Sequence, residues 1–168
     1  MDDGVFLPHK KHEISYLTKE AKLNISDAER ESLLSGIERP RTDYRENILI
    51  QNIGDALTFS FDEPKHIGSL RLVFDPDFTR KTISDNLKMR VFAMKLHTGK
   101  DFAPVRVAST LVRSFEVYAD GKLLRTVDEN YHRLVKLPLD VTAKEISIKW
   151  ISTNGDEKVK LFSAELIP

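Results

Sequence analysis

Ser114-Phe115-Glu116-Val117-Tyr118-Ala119-Asp120-Gly121 is the stretch that decides how this chain is read. Phe115, Val117 and Ala119 alternate with Ser114, Glu116 and Tyr118, the period-two pattern of a strand with one buried face. Asp120-Gly121 then falls between two apolar runs. It predicts a tight hairpin, because both central residues of such a turn take positive φ.

The same alternation recurs on either side. Ala21, Leu23 and Ile25 alternate with polar neighbours, as do Leu57, Phe59 and Phe61. Leu70, Leu72 and Phe74 alternate with Arg71, Val73 and Asp75, and Ile146, Ile148 and Trp150 with Ser147, Lys149 and Ile151. Near the end, Phe162, Ala164 and Leu166 alternate with Ser163, Glu165 and Ile167, while Val159 and Leu161 are out of phase and predict a bulge. Asn154-Gly155-Asp156 predicts another turn, and Glu63-Pro64 is expected to end the strand begun near Leu57, since proline lacks the ladder donor. One short helix is predicted: Ser26 and Glu29 have capping-box spacing, Gly36 supplies a stop, and Leu33, Leu34 and Ile37 would pack it on a sheet. Residues 1–18 show no clean period and read as an extended arm, and 19–168 as the sandwich, with 79–110 a long connection or insertion. The expected class is therefore all-β, a sandwich or jelly roll with one short helix and an extended N-terminal arm.

A chain of 168 residues suits one domain with its own core. Hydrophobic residues at 40% and charged residues at 31% are an ordinary globular mixture. Lys plus Arg and Asp plus Glu number 26 each, so no global basic excess points to nucleic acid or an anionic membrane. There is no cysteine, which removes disulfides, cysteine-based zinc sites and thiol nucleophiles. No apolar run is long enough for a membrane span, and the acidic Met1-Asp2-Asp3-Gly4 is no secretory signal. The compartment stays open.

A search for chemistry returns little. The seven glycines are scattered, without GxGxxG or GxxxxGK[ST], so no phosphate cradle is visible. His9 and His12, followed by Glu13, have a ligand-like spacing but sit on a charged arm and are more simply solvated. Asp75 and Asp77, with Asp85, are weak candidates for oxygen ligation of Ca²⁺, against the plainer reading of a solvated turn. No serine lies in a GxSxG elbow. His66 is expected to face water, and His132, beside Tyr131 and Arg133, is a candidate ligand contact. Trp150, the only Trp, falls on the inward phase and reads as core. The most suggestive loop runs from Glu38 to Arg45, where Arg39, Arg41, Asp43 and Tyr44 would suit a polar or anionic ligand, against the plainer readings of a domain contact or a solvated loop. No catalytic residue is identified.

Two sets of motifs carry a resemblance. Gly36-Ile37-Glu38-Arg39-Pro40, Phe61-Asp62-Glu63-Pro64 and Ile67-Gly68-Ser69-Leu70-Arg71-Leu72 resemble a discoidin-type, galactose-binding-like jelly roll. Asp2-Asp3-Gly4-Val5-Phe6-Leu7-Pro8, Arg39-Pro40, Phe74-Asp75-Pro76-Asp77-Phe78-Thr79-Arg80, Leu111-Val112-Arg113-Ser114-Phe115, Asn130-Tyr131-His132-Arg133 and Thr153-Asn154-Gly155 are similar, in order, to the C-terminal domain of a family of FAD-dependent oxidoreductases. Two departures stand out: His9 where that family commonly has Gly, and Asn47-Ile48-Leu49-Ile50 where it usually places a Trp.

The resemblance implies a non-catalytic accessory domain that packs on an upstream catalytic domain or shapes substrate access. FAD would belong to the parent protein, and this segment would bind no cofactor itself. The alternative is an independent carbohydrate-binding module using Arg39, Arg41, Asp43, Tyr44 and His132. A jelly-roll hydrolase is the weaker alternative, since it needs a convergent acid pair that spacing does not reveal.

Overall fold

The computed structural model describes residues 11–39, 47–76 and 107–168. In chain order these form α1 (Tyr16–Glu20), β1 (Lys22–Leu23), α2 (Asp27–Leu33), β2 (Leu49–Asn52), β3 (Ala56–Phe74), β4 (Val112–Ala119), β5 (Lys122–Val127), β6 (Leu134–Thr153) and β7 (Lys158–Ile167). The strands run in the order β2-β7-β3-β6-β4-β5, with β1 beside β3, and the pairings are antiparallel.

The architecture follows from two long, bent strands. β3 has 19 residues and β6 has 20. They pair twice, Ala56–Ser60 with Glu145–Lys149 and then Lys65–Val73 with Leu134–Ala143, with a break between Ser60 and Lys65. Pro64 therefore does not end the strand, as its sequence suggested. It removes one donor, the ladder skips Phe61–Pro64 and resumes at Lys65, and the proline marks a corner. Asp140, with φ 50°, lies in a second irregular stretch of β6 near that corner. One half of the bent pair continues into β4, β5 and β1, and the other into β7 and β2.

Folding the sheet at this corner brings its halves face to face. Phe74 from one layer meets Phe115 and Trp150 from the other, each pair with ring centroids 6.2 Å apart, and Phe115 and Trp150 are 6.1 Å apart. All three rings are fully buried. Trp150 Nε1–H also donates across the layers to Gln51 Oε1 at 2.7 Å. This is a jelly-roll sandwich of the expected all-β class, and Trp150 is core as expected.

Local signals hold at several points. Asp120 and Gly121 have φ of 48° and 77°, joining β4 to β5, and the Asp120 carboxylate accepts the Lys144 and Glu145 N–H groups. Ser26 caps α2 in a reciprocal box with Glu29. Gly36, at φ 71°, does more than stop the helix: a Cβ there would collide with the His12 carbonyl, and Gly36 O accepts the His12 N–H at 2.7 Å. The bulge in β7 also appears, since Val73 pairs Ser163 but Phe74 pairs Leu161. Phe162 is the extra residue and turns away from Ala164 and Leu166 to pack with Ile48 and Val73.

Two further expectations need correction. The end of the arm is not extended: Ser15 caps the helical turn Tyr16–Glu20, and Leu17 and Thr18 are buried. Thr18 Oγ1 donates to Leu166 O and accepts the Leu166 N–H, which docks this turn on β7. The alternation of β3 and β7 also does not mean a solvated outer face. Arg71, Val73, Asp75, Ser163 and Glu165 are buried along with their inward neighbours. Residues 1–10 and most of the 79–110 connection lie outside the described residues.

The aromatic contact between layers sets a stability expectation. Trp150→Ala should cost about 3–5 kcal/mol, the usual range for deleting a large buried aromatic. Urea unfolding followed by circular dichroism measures it, and a loss below about 1 kcal/mol would mean that the layers do not close on this ring.

Candidate functional site

Five segments are tied together at one rim of the sandwich. Phe74 N–H donates to Arg133 O at 2.9 Å, Asp75 N–H to Lys160 O at 3.0 Å, and Thr110 Oγ1–H to Asp75 O at 2.6 Å. Asn154 Nδ2 donates to both Leu111 O and Asn130 O, at 3.0 and 3.1 Å. The Asn154-Gly155-Asp156 turn thus serves as a brace between loops as well as the joint from β6 to β7.

Asn130 organises the loop between β5 and β6. Its N–H donates to Arg113 O, its Nδ2 to Val112 O and His132 O, and its Oδ1 accepts the His132 N–H. A buried asparagine with its donors and acceptor so engaged fixes the two residues that follow. Those two are outward-facing rings. Tyr131 is 63% exposed, and its ring lies 4.2 Å from that of His132 at an angle of 37°. Beside them opens a shallow groove of about 420 Å³ lined by Val127, Asp128, Leu134, Val135, Lys136 and Leu137. Glu129, at φ 54°, faces Arg113 across 3.4 Å, and both side chains are exposed.

Beneath the rim lies a buried charge network on the outer face of β3 and β7. Glu165, 1% exposed, accepts from Arg71 Nη1 at 2.8 Å and from the Ser15 N–H at 3.2 Å, and His12 Nε2 stands 2.8 Å from it. Arg71 Nη1 also donates to Glu38, whose backbone carbonyl accepts Arg133 Nη2. Burial works against the charge on Arg71, but Glu38 and Glu165 together outweigh it and raise its pKa. Burial lowers the pKa of Arg133, and the Arg71 charge adds to that, while Glu38 and Asp75 oppose it. Ligand atoms of His12, Glu38 and Glu165 lie within 4.8 Å of one another. Arg71 already supplies the cation between the two carboxylates, so the arrangement reads as an ion-pair network and not as a metal centre.

The structure brings together some of the residues that the sequence singled out. His132 is on the rim, paired with Tyr131. Arg39 is adjacent, its backbone carbonyl accepting Asn47 Nδ2 at 2.6 Å, while a second Asn47 bond reaches Ile37 O. Asp75 is wholly buried beside Arg133. Arg41, Asp43, Tyr44, Asp77, Asp85 and His9 lie outside the described residues. His66 faces water as expected, 59% exposed. Sequence reading missed Glu38, Arg71 and Glu165 as a unit and Asn130 as an organiser. The signal for the first was faint: a charged residue on each of two outer faces, with nothing local to say that they meet.

No protein-family model and no curated protein matches the sequence. Solved structures do. A family 32 carbohydrate-binding module of Streptococcus pneumoniae EndoD aligns at TM-score 0.56 and 12% identity, covering 87% of this chain and 92% of that one. A family 32 module of C. perfringens NanJ, in complex with galactose, aligns at 0.51 and 12%, covering 89% and 94%. The lectin domain of lectinolysin, complexed with Lewis B antigen, aligns at 0.54 and 13%, covering 92% and 97%. The fold is thus the galactose-binding-like, discoidin-type jelly roll that the first set of motifs resembles.

One rim contact makes a pH prediction. Burial raises the Asp156 carboxyl, but the Lys160 ammonium and the backbone N–H groups of Lys158 and Glu157 outweigh it and hold its pKa below the ordinary 3.8. A depressed pKa contributes stability above the unfolded value, and that contribution is lost as pH falls through the folded one. Asp156→Asn should therefore flatten the loss of melting temperature on acidification below about pH 4, with little change in slope near neutrality. Parallel melting curves for the variant and the native chain on the acid side would contradict this.

Proposed function

We propose that this domain is a non-catalytic glycan-binding module, and that it binds through the rim around Tyr131 and His132. The observation that carries the reading is the exposed ring pair on a loop locked by Asn130, in a fold shared with solved carbohydrate-binding modules and a lectin domain. The chemistry suits a sugar. A pyranose offers an apolar C–H face that packs on an aromatic ring, and hydroxyls that need fixed donors and acceptors at its edge. Tyr131 supplies the ring, and His132, Arg113, Asp128, Glu129 and Lys136 supply polar groups around it. A rigid loop also lowers the ordering cost of binding.

The accessory-domain reading, with FAD in a parent enzyme, draws no support from the similar structures and takes second place. A hydrolase reading fares worse, because Glu165, one of the two deeply buried carboxylates among the described residues, is bound by Arg71 and contacted by His12, and the other, Asp75, stands beside Arg133.

A glycan array followed by calorimetry on the whole chain provides the test. Tyr131→Ala should weaken binding at least about tenfold, which is about 1.4 kcal/mol. Tyr16→Ala, which removes a ring of similar exposure from α1, should leave affinity unchanged. Equal losses in the two variants, or none in Tyr131→Ala, would contradict a site at this rim.

A further inference from the structure

From the buried network we infer that Glu38 and Arg71 are positioning residues for the rim: they hold the Asn130–Arg133 loop in register from below without touching a ligand. The ligand arm of this inference rests on the glycan-binding reading, whereas the coupling itself does not.

Glu38 is bonded through two different atoms in two directions. Its side chain, 21% exposed, accepts from Arg71 Nη1, and its backbone carbonyl accepts from Arg133 Nη2. Arg133 in turn gives its own carbonyl to the Phe74 N–H, and it directly follows the Tyr131–His132 pair. The guanidinium of Arg133 stands 6.0 Å over the Phe162 ring, at the β7 bulge. A continuous chain of polar contacts therefore runs from Glu165 through Arg71 and Glu38 to the base of the ring-bearing loop.

Glu38 does more than balance charge. Arg71 and Glu165, both almost wholly buried, already pair with each other. Glu38 adds a second carboxylate on the same guanidinium nitrogen, one that also offsets the charge of Arg133, and its loop must be held in to supply it. Its effect is geometric: residues 37–39 are drawn against the sheet, where the Glu38 carbonyl meets Arg133 and the Asn47 carboxamide clasps the Ile37 and Arg39 carbonyls. Charged hydrogen bonds in such low-dielectric surroundings are strong and directional, so they fix a loop more sharply than surface contacts do.

The experiment uses the whole chain, labelled with ¹⁵N and ¹³C. In Glu38→Ala, Arg71 keeps Glu165, and the fold should survive. The amide signals of Asn130 and His132 and the ring signals of Tyr131 should move, while those of Lys22–Ile25 should not. Affinity for a glycan that the native chain binds on the array should fall about tenfold. Glu38→Asp keeps the charge, shortens the reach, and should displace the same signals by less. Glu20→Ala, which breaks the Glu20–Lys65 pair near the corner, is the control and should leave the rim signals in place. Unmoved rim signals in Glu38→Ala, or an equal displacement in Glu20→Ala, would overturn the inference. If Glu38→Ala unfolds, Glu38→Asp decides: rim signals unmoved there overturn the inference. A native chain that binds no glycan would sink the glycan reading, while the signal pattern would still decide the coupling.

Discussion

Phe74, Phe115 and Trp150 meet because β3 and β6 turn a corner together, and the rest of the domain depends on that meeting. Without the corner near Pro64 and Asp140 the strands would form one open, twisted sheet with an apolar face and nothing to bury it against. With it, the sheet becomes its own partner. The aromatic contact adds about 0.5–1.5 kcal/mol per pair beyond the area buried. The Trp150–Gln51 bond satisfies the one polar atom that these three rings carry, and fixes the edge strand β2 against the opposite layer.

Closing the sandwich in this way leaves a second problem, the outer face of β3 and β7. α1, the segment from His12 to Ser15 and the Gly36–Arg39 turn lie across it, so Arg71 and Glu165 pass from surface positions to buried ones. Burying charges is costly unless they are paired, and a paired set is a poor source of stability compared with apolar packing. Its value here is positional. The same contacts that neutralise Glu165 also hold residues 37–39 at the foot of the loop that displays Tyr131 and His132. Core, covering layer and rim are thereby linked through named hydrogen bonds.

The strands were legible wherever a single face is buried. Phe115–Ala119, Leu57–Phe61 and Ile146–Trp150 are placed by alternation alone, and the Asp120-Gly121 turn and the Ser26–Glu29 box by local chemistry. The corner is not legible, because Pro64 shows a lost donor but not that pairing resumes one residue later. The buried outer face was also illegible. Arg71 and Glu165 alternate as solvated residues would, and only the tertiary covering by the N-terminal segment changes their environment. Of the candidate site, His132 was visible through its aromatic and basic neighbours. Nothing local marks Tyr131 as a contact, and Asn130 reads as an ordinary turn residue, since its partners at Val112, Arg113 and Asn154 are far away in sequence.

The central claim is that this sandwich presents a preorganised glycan-binding surface at the rim formed by residues 128–133, held from below by residues 37–39. The most direct measurement is chemical-shift mapping of the whole, labelled chain titrated with the glycans that an array selects. The account predicts saturable changes concentrated at Asn130, Tyr131 and His132, with the neighbouring Glu38 and Arg39 amides following. Changes centred instead on the opposite corner, around Asp62–Lys65 and Asp140, or no saturable change with any glycan, would contradict it.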